Sequence, residues 1–276
     1  MNHMKFAMAI LAFSYGTAIA QEASEEEAHP MVYSPELEAT YKADIKKLQA
    51  MKFQDGLVSG SLGAVSKDAY TAALKSIKTQ WNTLKNSPGD SNTTYDAIIQ
   101  AGHYRRITNL TGASGKAVTE QQLVAYIVKG VAEKLRASGK NVLVLSADEY
   151  AAGLKGRIFL AIHADGSEPP CKTGPSLSYQ TNSSTLAMHA IGWGLSQALG
   201  YKFDEFKKDG YTANAAKYYM YSRVHAPVMK GLLEVGEISC SAVEDRLIVS
   251  ADGISNNVAR AIAFVLDAGP VASVEK

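Results

Sequence analysis

Apolar residues first recur in order at Leu37, Tyr41, Ile45 and Leu48, three to four positions apart, which predicts a helix between Pro35 and Phe53. A Gly/Ser-rich turn follows. Ser66, a side chain suited to cap a helix start, then opens a second helical pattern through Ala69, Ala73, Leu74 and Ile77. The stretch NSPGDSNTT, Asn86 to Thr94, is dense in turn formers and marks a domain boundary. Beyond it the period changes. Short apolar runs at Tyr95–Gln100, Asn141–Ser146, Arg157–Ile162, Leu177–Gln180 and Gly231–Ile238 read as strands. Helical patterns at Glu120–Ser138, Thr185–Leu199 (ending at Gly200) and Ile254–Leu266 fall among them. The alternation predicts an α/β fold: a mostly parallel sheet flanked by helices on both faces, with a small N-terminal helical region. Ligands of such sheets bind at the carboxyl ends of the strands.

The first residues change the picture of where the protein works. Lys5 precedes an apolar or small-residue run from Phe6 to Ala20, closed by Ala18-Ile19-Ala20. That is the pattern of a signal peptide over residues 1–20, too short to span a bilayer comfortably. An acidic, Ala-rich linker over 21–34 follows it. Export to a periplasm or the extracellular space is the expectation, with no stable membrane span after cleavage. Lys and Arg number 28 against 27 Asp and Glu. With no basic cluster or stripe, nucleic acid is not an expected partner. Two readings of Cys171 and Cys240 stay open, a disulfide and two buried thiols. Export favours a disulfide bracing two loops at the rim of the site.

Candidate chemistry gathers at strand ends and helix starts. IIQAGHYRR places His103 just past a strand, and FLAIHADGS places His163 past another. TGASGKAVTEQQL places Glu120 at a helix start behind a Gly-rich loop. Two His and one Glu make a zinc ligand set that leaves a fourth position open, as catalytic sites require. Glu234, in GLLEVGEIS, is a carboxylate inside an apolar strand and a candidate general base. TGASGKA lacks the first Gly of a phosphate loop and the Ser/Thr after Lys116, and no HExxH or GxSxG occurs.

In order along the chain, QAGH, TGASG…TE, AIHAD, LSYQTNSSTLAMHAIGWGL and EVGEISC resemble the motifs of the zinc-dependent N-acetylmuramoyl-L-alanine amidases of the type-3 class. Those read D-x-GH, a Gly-rich loop with a Glu opening a helix, SIHAN, YY…S…LA…I…L and E-x-GF-x-SN. The resemblance covers roughly Tyr95 to Leu266. It implies Zn2+ as cofactor, His103, Glu120 and His163 as metal ligands, Glu234 as the catalytic carboxylate, and peptidoglycan muropeptides as substrate. The bond cut would be the amide between N-acetylmuramic acid and L-alanine. Asp165, Glu237 and Cys240 depart from the pattern at the pocket rim, and the segment before RIFLAIH is short. A zinc peptidase or carboxypeptidase on the stem peptide, and a non-catalytic cell-wall-binding protein, remain as alternatives.

Residues 94–270 are thus the expected catalytic domain. The helical region over 35–90 resembles a shortened peptidoglycan-binding module, against which stands a plain helical extension packed on the core. His189 is expected as a core histidine, His225 in a surface loop, Glu237 exposed or at the rim, and Tyr218, Tyr219 and Met220 in the core. Arg105 and Arg106 are either solvated charges or partners of a stem-peptide carboxylate.

Overall fold

The structure, a computed structural model, describes residues 42–44, 46–49, 66–108, 110–180, 183–201 and 217–268. The expected signal peptide, the linker and much of the first expected helix lie outside the described residues.

The β-branched and leucine runs form one six-stranded sheet: β1 (Thr94–Ala101), β2 (Val142–Leu145), β3 (Leu154–Asp165), β4 (Ser176–Tyr179), β5 (Val224–His225) and β6 (Met229–Glu237). The main order is β2-β1-β3-β6-β4, with β5 paired to β3. All pairings are parallel except that of β4 with β6. The helices are α1 (Lys67–Gln80), α2 (Glu120–Ala137), α3 (Thr185–Leu199) and α4 (Ser241–Asp267). Parallel strands need crossovers; α2 lies in the one from β1 to β2 and α3 between β4 and β5, while α1 precedes the sheet and α4 follows it.

Side chains alternate across the sheet. Ala97, Ile99, Ile158, Leu160, Ile162, Leu233 and Val235 point to the face covered by α2, α3 and α4 and lie in the larger core. Ile98, Phe159, Ala161 and Leu232 point to the other face. Among the described residues that face is covered by a 3₁₀ turn (Tyr219–Ser222) and flanking residues such as Val224 and Tyr150. His163 and Glu234 continue the second series, so the candidate chemistry opens on the tyrosine-covered face.

Ser66 caps α1 as expected, accepting from the Ala69 N–H at 3.2 Å. Ile77 of α1, Leu84 and Leu48 belong to the same core as the sheet. Asp44 Oδ2 lies 2.9 Å from Nδ1 of fully buried His189, which is the core histidine expected on α3. The described part of the 35–90 region thus packs on the α/β body. α4 begins at Ser241, well before the expected Ile254. The charged run Glu244-Asp245-Arg246 and Gly253 hide its start in the sequence, yet Glu244 is buried there as a binding group for backbone N–H donors.

Candidate metal centre

Three elements converge at the carboxyl end of the sheet. β1 runs into a turn that holds His103 at φ +55. β3 carries His163 near its end. α2 begins at Glu120, fixed there by a capping box: Gln122 N–H donates to Thr119 Oγ1, and Thr119 N–H to Gln122 Oε1. The preceding Gly-rich loop is held from across the molecule. Glu244 accepts from the backbone N–H groups of Lys116, Ala117 and Val118 at 2.8, 2.7 and 3.0 Å. A carboxylate bonded to three N–H groups fixes the loop far better than loop sequence alone could.

The three side chains meet. One ligand atom from each of His103, Glu120 and His163 lies within 4.8 Å of the others. Glu120 Oε1 is 2.9 Å from His163 Nδ1, and Glu120 Oε2 is 3.7 Å from His103 Nε2. Two backbone N–H groups aim the carboxylate, Ala113 onto Oε2 at 2.9 Å and Ala164 onto Oε1 at 3.1 Å. The outward nitrogens are also engaged: His103 Nδ1 lies 3.3 Å from the Leu110 carbonyl and His163 Nε2 lies 3.3 Å from the Tyr218 hydroxyl. Two imidazoles and a carboxylate, each oriented by an outer partner, fit a metal cation. Gly112, at φ +77, leaves room for this: a Cβ there would run into the Glu120 carboxylate.

The charges respond to this packing. Burial alone would raise the Glu120 carboxyl, but the His163 hydrogen bond, both imidazoles and Ala113 hold it below the usual carboxylate range. Burial lowers His103, against the pull of Glu120. Glu234 pairs with His163 across β3 and β6. Burial, then the negative charges of Glu120 and Asp165, push it well above the ordinary range. Its Oε2 is buried with no hydrogen-bond partner among the described residues. A buried carboxylate with a free oxygen beside a ligand cluster is poised to take and return a proton.

Glu237 corrects an expectation. It is not exposed or at the rim but has no exposed surface. The register slips between His163–Glu234 and Asp165–Glu237, with Gly236 at φ +153. One extra residue in β6 breaks the alternation from which an outward Glu237 was expected. The carboxylate accepts from the Cys171 and Thr173 N–H groups at 2.5 and 2.6 Å, and from Ser167 and Ser239 Oγ at 2.8 and 2.6 Å. Burial would raise its carboxyl, but these bonds bring it down to about 2. Cys171 and Cys240 are joined in a disulfide, Cα to Cα 4.7 Å, tying the same loop to the start of α4.

His225 is exposed, on the two-residue strand β5 rather than in a loop. Arg105 donates to Asn86 Oδ1 at 3.0 Å, and Arg106 Nε lies 3.9 Å from Asp148. Met220 is buried. Tyr218, expected as core, reaches the site through its hydroxyl. Gln100, not among the residues expected from the sequence, accepts from that hydroxyl on Oε1 at 2.9 Å. The available signal was a lone amide inside the apolar strand IIQAGH.

The chain is similar to N-acetylmuramoyl-L-alanine amidase AmiC2 of Nostoc punctiforme, at 17% identity over 65% of this chain and 99% of that one, TM-score 0.48. It is similar to Cwp6 from Clostridium difficile, at 16% identity over 63% of this chain and 30% of that one, TM-score 0.50. An N-acetylmuramoyl-L-alanine amidase from Clostridium difficile 630 gives 17% identity over 64% of this chain and 99% of that one, TM-score 0.49. At 16% identity the likeness to Cwp6 is one of fold alone. No family model and no curated protein matches the chain.

Proposed function

We propose that the chain is an exported zinc-dependent amidase that hydrolyses the bond between N-acetylmuramic acid and the L-alanine of the peptidoglycan stem peptide. The carrying observation is the cluster of His103, Glu120 and His163 with the partnerless oxygen of Glu234 on the neighbouring strand. The ordered motifs QAGH, TE, AIHAD and EVGE supply the substrate class. Among the described residues no helix is long and apolar enough to cross a membrane, and the Cys171–Cys240 disulfide suits an oxidising compartment.

His103 Nε2, a Glu120 oxygen and His163 Nδ1 would hold the metal. Zinc held there would supply Lewis acidity for the scissile carbonyl and for the attacking water. Glu234 takes the proton of the attacking water on Oε2 and passes it to the leaving amine. Its carboxyl is raised by burial and by two negative neighbours. A cation held by the cluster would offset the Glu120 charge, one of the two negative neighbours that raise Glu234. Glu237 and the disulfide hold the short loop that follows Asp165, the last residue of β3.

Digestion of purified muropeptides, read by mass spectrometry, tests this. Free stem peptides with an L-alanine amino terminus are expected. Shortened stems would instead mean a peptidase, and unchanged material a wall-binding protein. Glu234→Gln should keep zinc near one per chain while turnover falls about 10²–10⁴-fold.

A further inference from the structure

We infer that Tyr218 and Gln100 are positioning residues that keep the His163 proton on Nε2, so that Nδ1 is the nitrogen presented to the metal. This rests on the metal reading above and concerns how the chain prepares one ligand.

Two carbonyls that can only accept fix the orientation of the Gln100 amide. Gln100 Nε2 lies 3.0 Å from the Ser146 carbonyl and 3.2 Å from the Ala147 carbonyl. Carbonyls only accept, so this end of the side chain is the amide nitrogen. The other end is therefore the oxygen, and it is what Tyr218 meets at 2.9 Å. That oxygen also only accepts, so it takes the phenolic proton of Tyr218 at 2.9 Å, although the Tyr219 hydroxyl also lies within reach of Tyr218. The Tyr218 oxygen is left as an acceptor, and the atom 3.3 Å away is His163 Nε2. Nε2 must then be the donor. In a neutral imidazole the lone pair falls to Nδ1, which faces Glu120 Oε1 at 2.9 Å on the side of the cluster.

The two histidines are thus set by different means. A backbone carbonyl, Leu110, faces His103 Nδ1, while His163 depends on a side-chain relay three groups long. Gln100 stands where the D-x-GH pattern has an acid, and an ionised acid could not donate to the Ser146 and Ala147 carbonyls. Tyr219 donates to the Ala147 carbonyl and accepts from Gln100, so it steadies the amide and not the imidazole. Outer partners of this kind are commonly worth 10- to 100-fold in metal affinity.

Tyr218→Phe removes the hydroxyl and keeps the ring. Zinc affinity, measured on the full chain by competition with a chelator, should weaken about 10- to 100-fold. Tyr219→Phe, one bond farther along, should cost distinctly less. In cobalt(II)-loaded wild type, the paramagnetically shifted, exchangeable N–H proton of His163 should be visible by NMR and assign to Nε2. In Tyr218→Phe it should move and exchange faster with solvent, a change that a general loosening of the fold would not confine to one ring. Unchanged affinity together with an unchanged N–H signal in Tyr218→Phe overturns the relay while leaving the metal reading standing. If that variant fails to fold, the wild-type spectrum decides: a cobalt form with the His163 proton on Nδ1, or with no slowed Nε2 proton, overturns it. A wild-type chain that binds neither zinc nor cobalt overturns the metal reading and the relay together.

Discussion

Glu237→Gln keeps the side chain's volume and removes its charge from beneath the disulfide loop. The wild-type carboxylate receives four bonds of 2.5–2.8 Å, from two backbone N–H groups and two hydroxyls, so an amide nitrogen at either end meets a donor. A carboxyl held at about 2 instead of its ordinary 4.5 is stabilised as the anion by about 3 kcal/mol at about 1.36 kcal/mol per pH unit. Cys171 is exposed and Thr173 half-exposed, so solvent near these donors trims the figure to about 2–3 kcal/mol. The folded-state value lies below the unfolded one. The contribution is therefore complete above the unfolded carboxyl's titration and is lost as pH falls through the folded value near 2. Urea unfolding followed by tryptophan fluorescence, with the disulfide intact, should show the variant weaker by about 2–3 kcal/mol at pH 7 and by roughly half that at pH 3. An equal loss at both pH values, or none at pH 7, would refute the idea that an ionised Glu237 organises this loop.

Other outcomes follow from the same geometry. His103→Ala and His163→Ala should each lose zinc on dialysis, and Glu120→Ala decides the third ligand: full retention of zinc, measured by atomic absorption, would remove Glu120 from the set. Gly112→Ala places a Cβ against the Glu120 carboxylate at φ +77, so zinc affinity should fall and stability drop by about 1–3 kcal/mol, checked by titration and thermal melts. Deleting residues 35–90 removes Leu48, Ile77 and Leu84 from the core and Asp44 from His189, so the melting temperature should drop by several degrees, whereas an independent wall-binding module would leave it unchanged.

The parts of the site that were legible in the sequence are those with local causes. A strand ending in His163, and a Thr119-x-x-Gln122 start that places Glu120, are written within a few residues of themselves. The Ser66 cap and the Gly200 end of α3 are equally local. What was missed depends on distant chain. Glu237 turned inward because β6 carries a bulge against β3, which alternation along one strand does not reveal. Glu244 carries no local sign of its burial because its partners are backbone N–H groups well over a hundred residues away. Tyr218 looked like packing because its hydroxyl gains meaning only from the amide of Gln100 on β1.

The proposed ligands come from the end of β1, the start of α2 and the end of β3, with Glu120 and His163 separated by 43 positions. No short piece of chain holds more than one of them, so the unfolded protein offers a cation nothing resembling this cage. Occupancy then acts only on the folded side of the equilibrium, adding about 2.7 kcal/mol when free zinc stands at 100 times the dissociation constant. Where proteases patrol, starved molecules open more often and are removed sooner than filled ones. The abundance of this chain would then track the metal supply of its surroundings with no regulator involved, because ownership of the ion is itself the licence to persist.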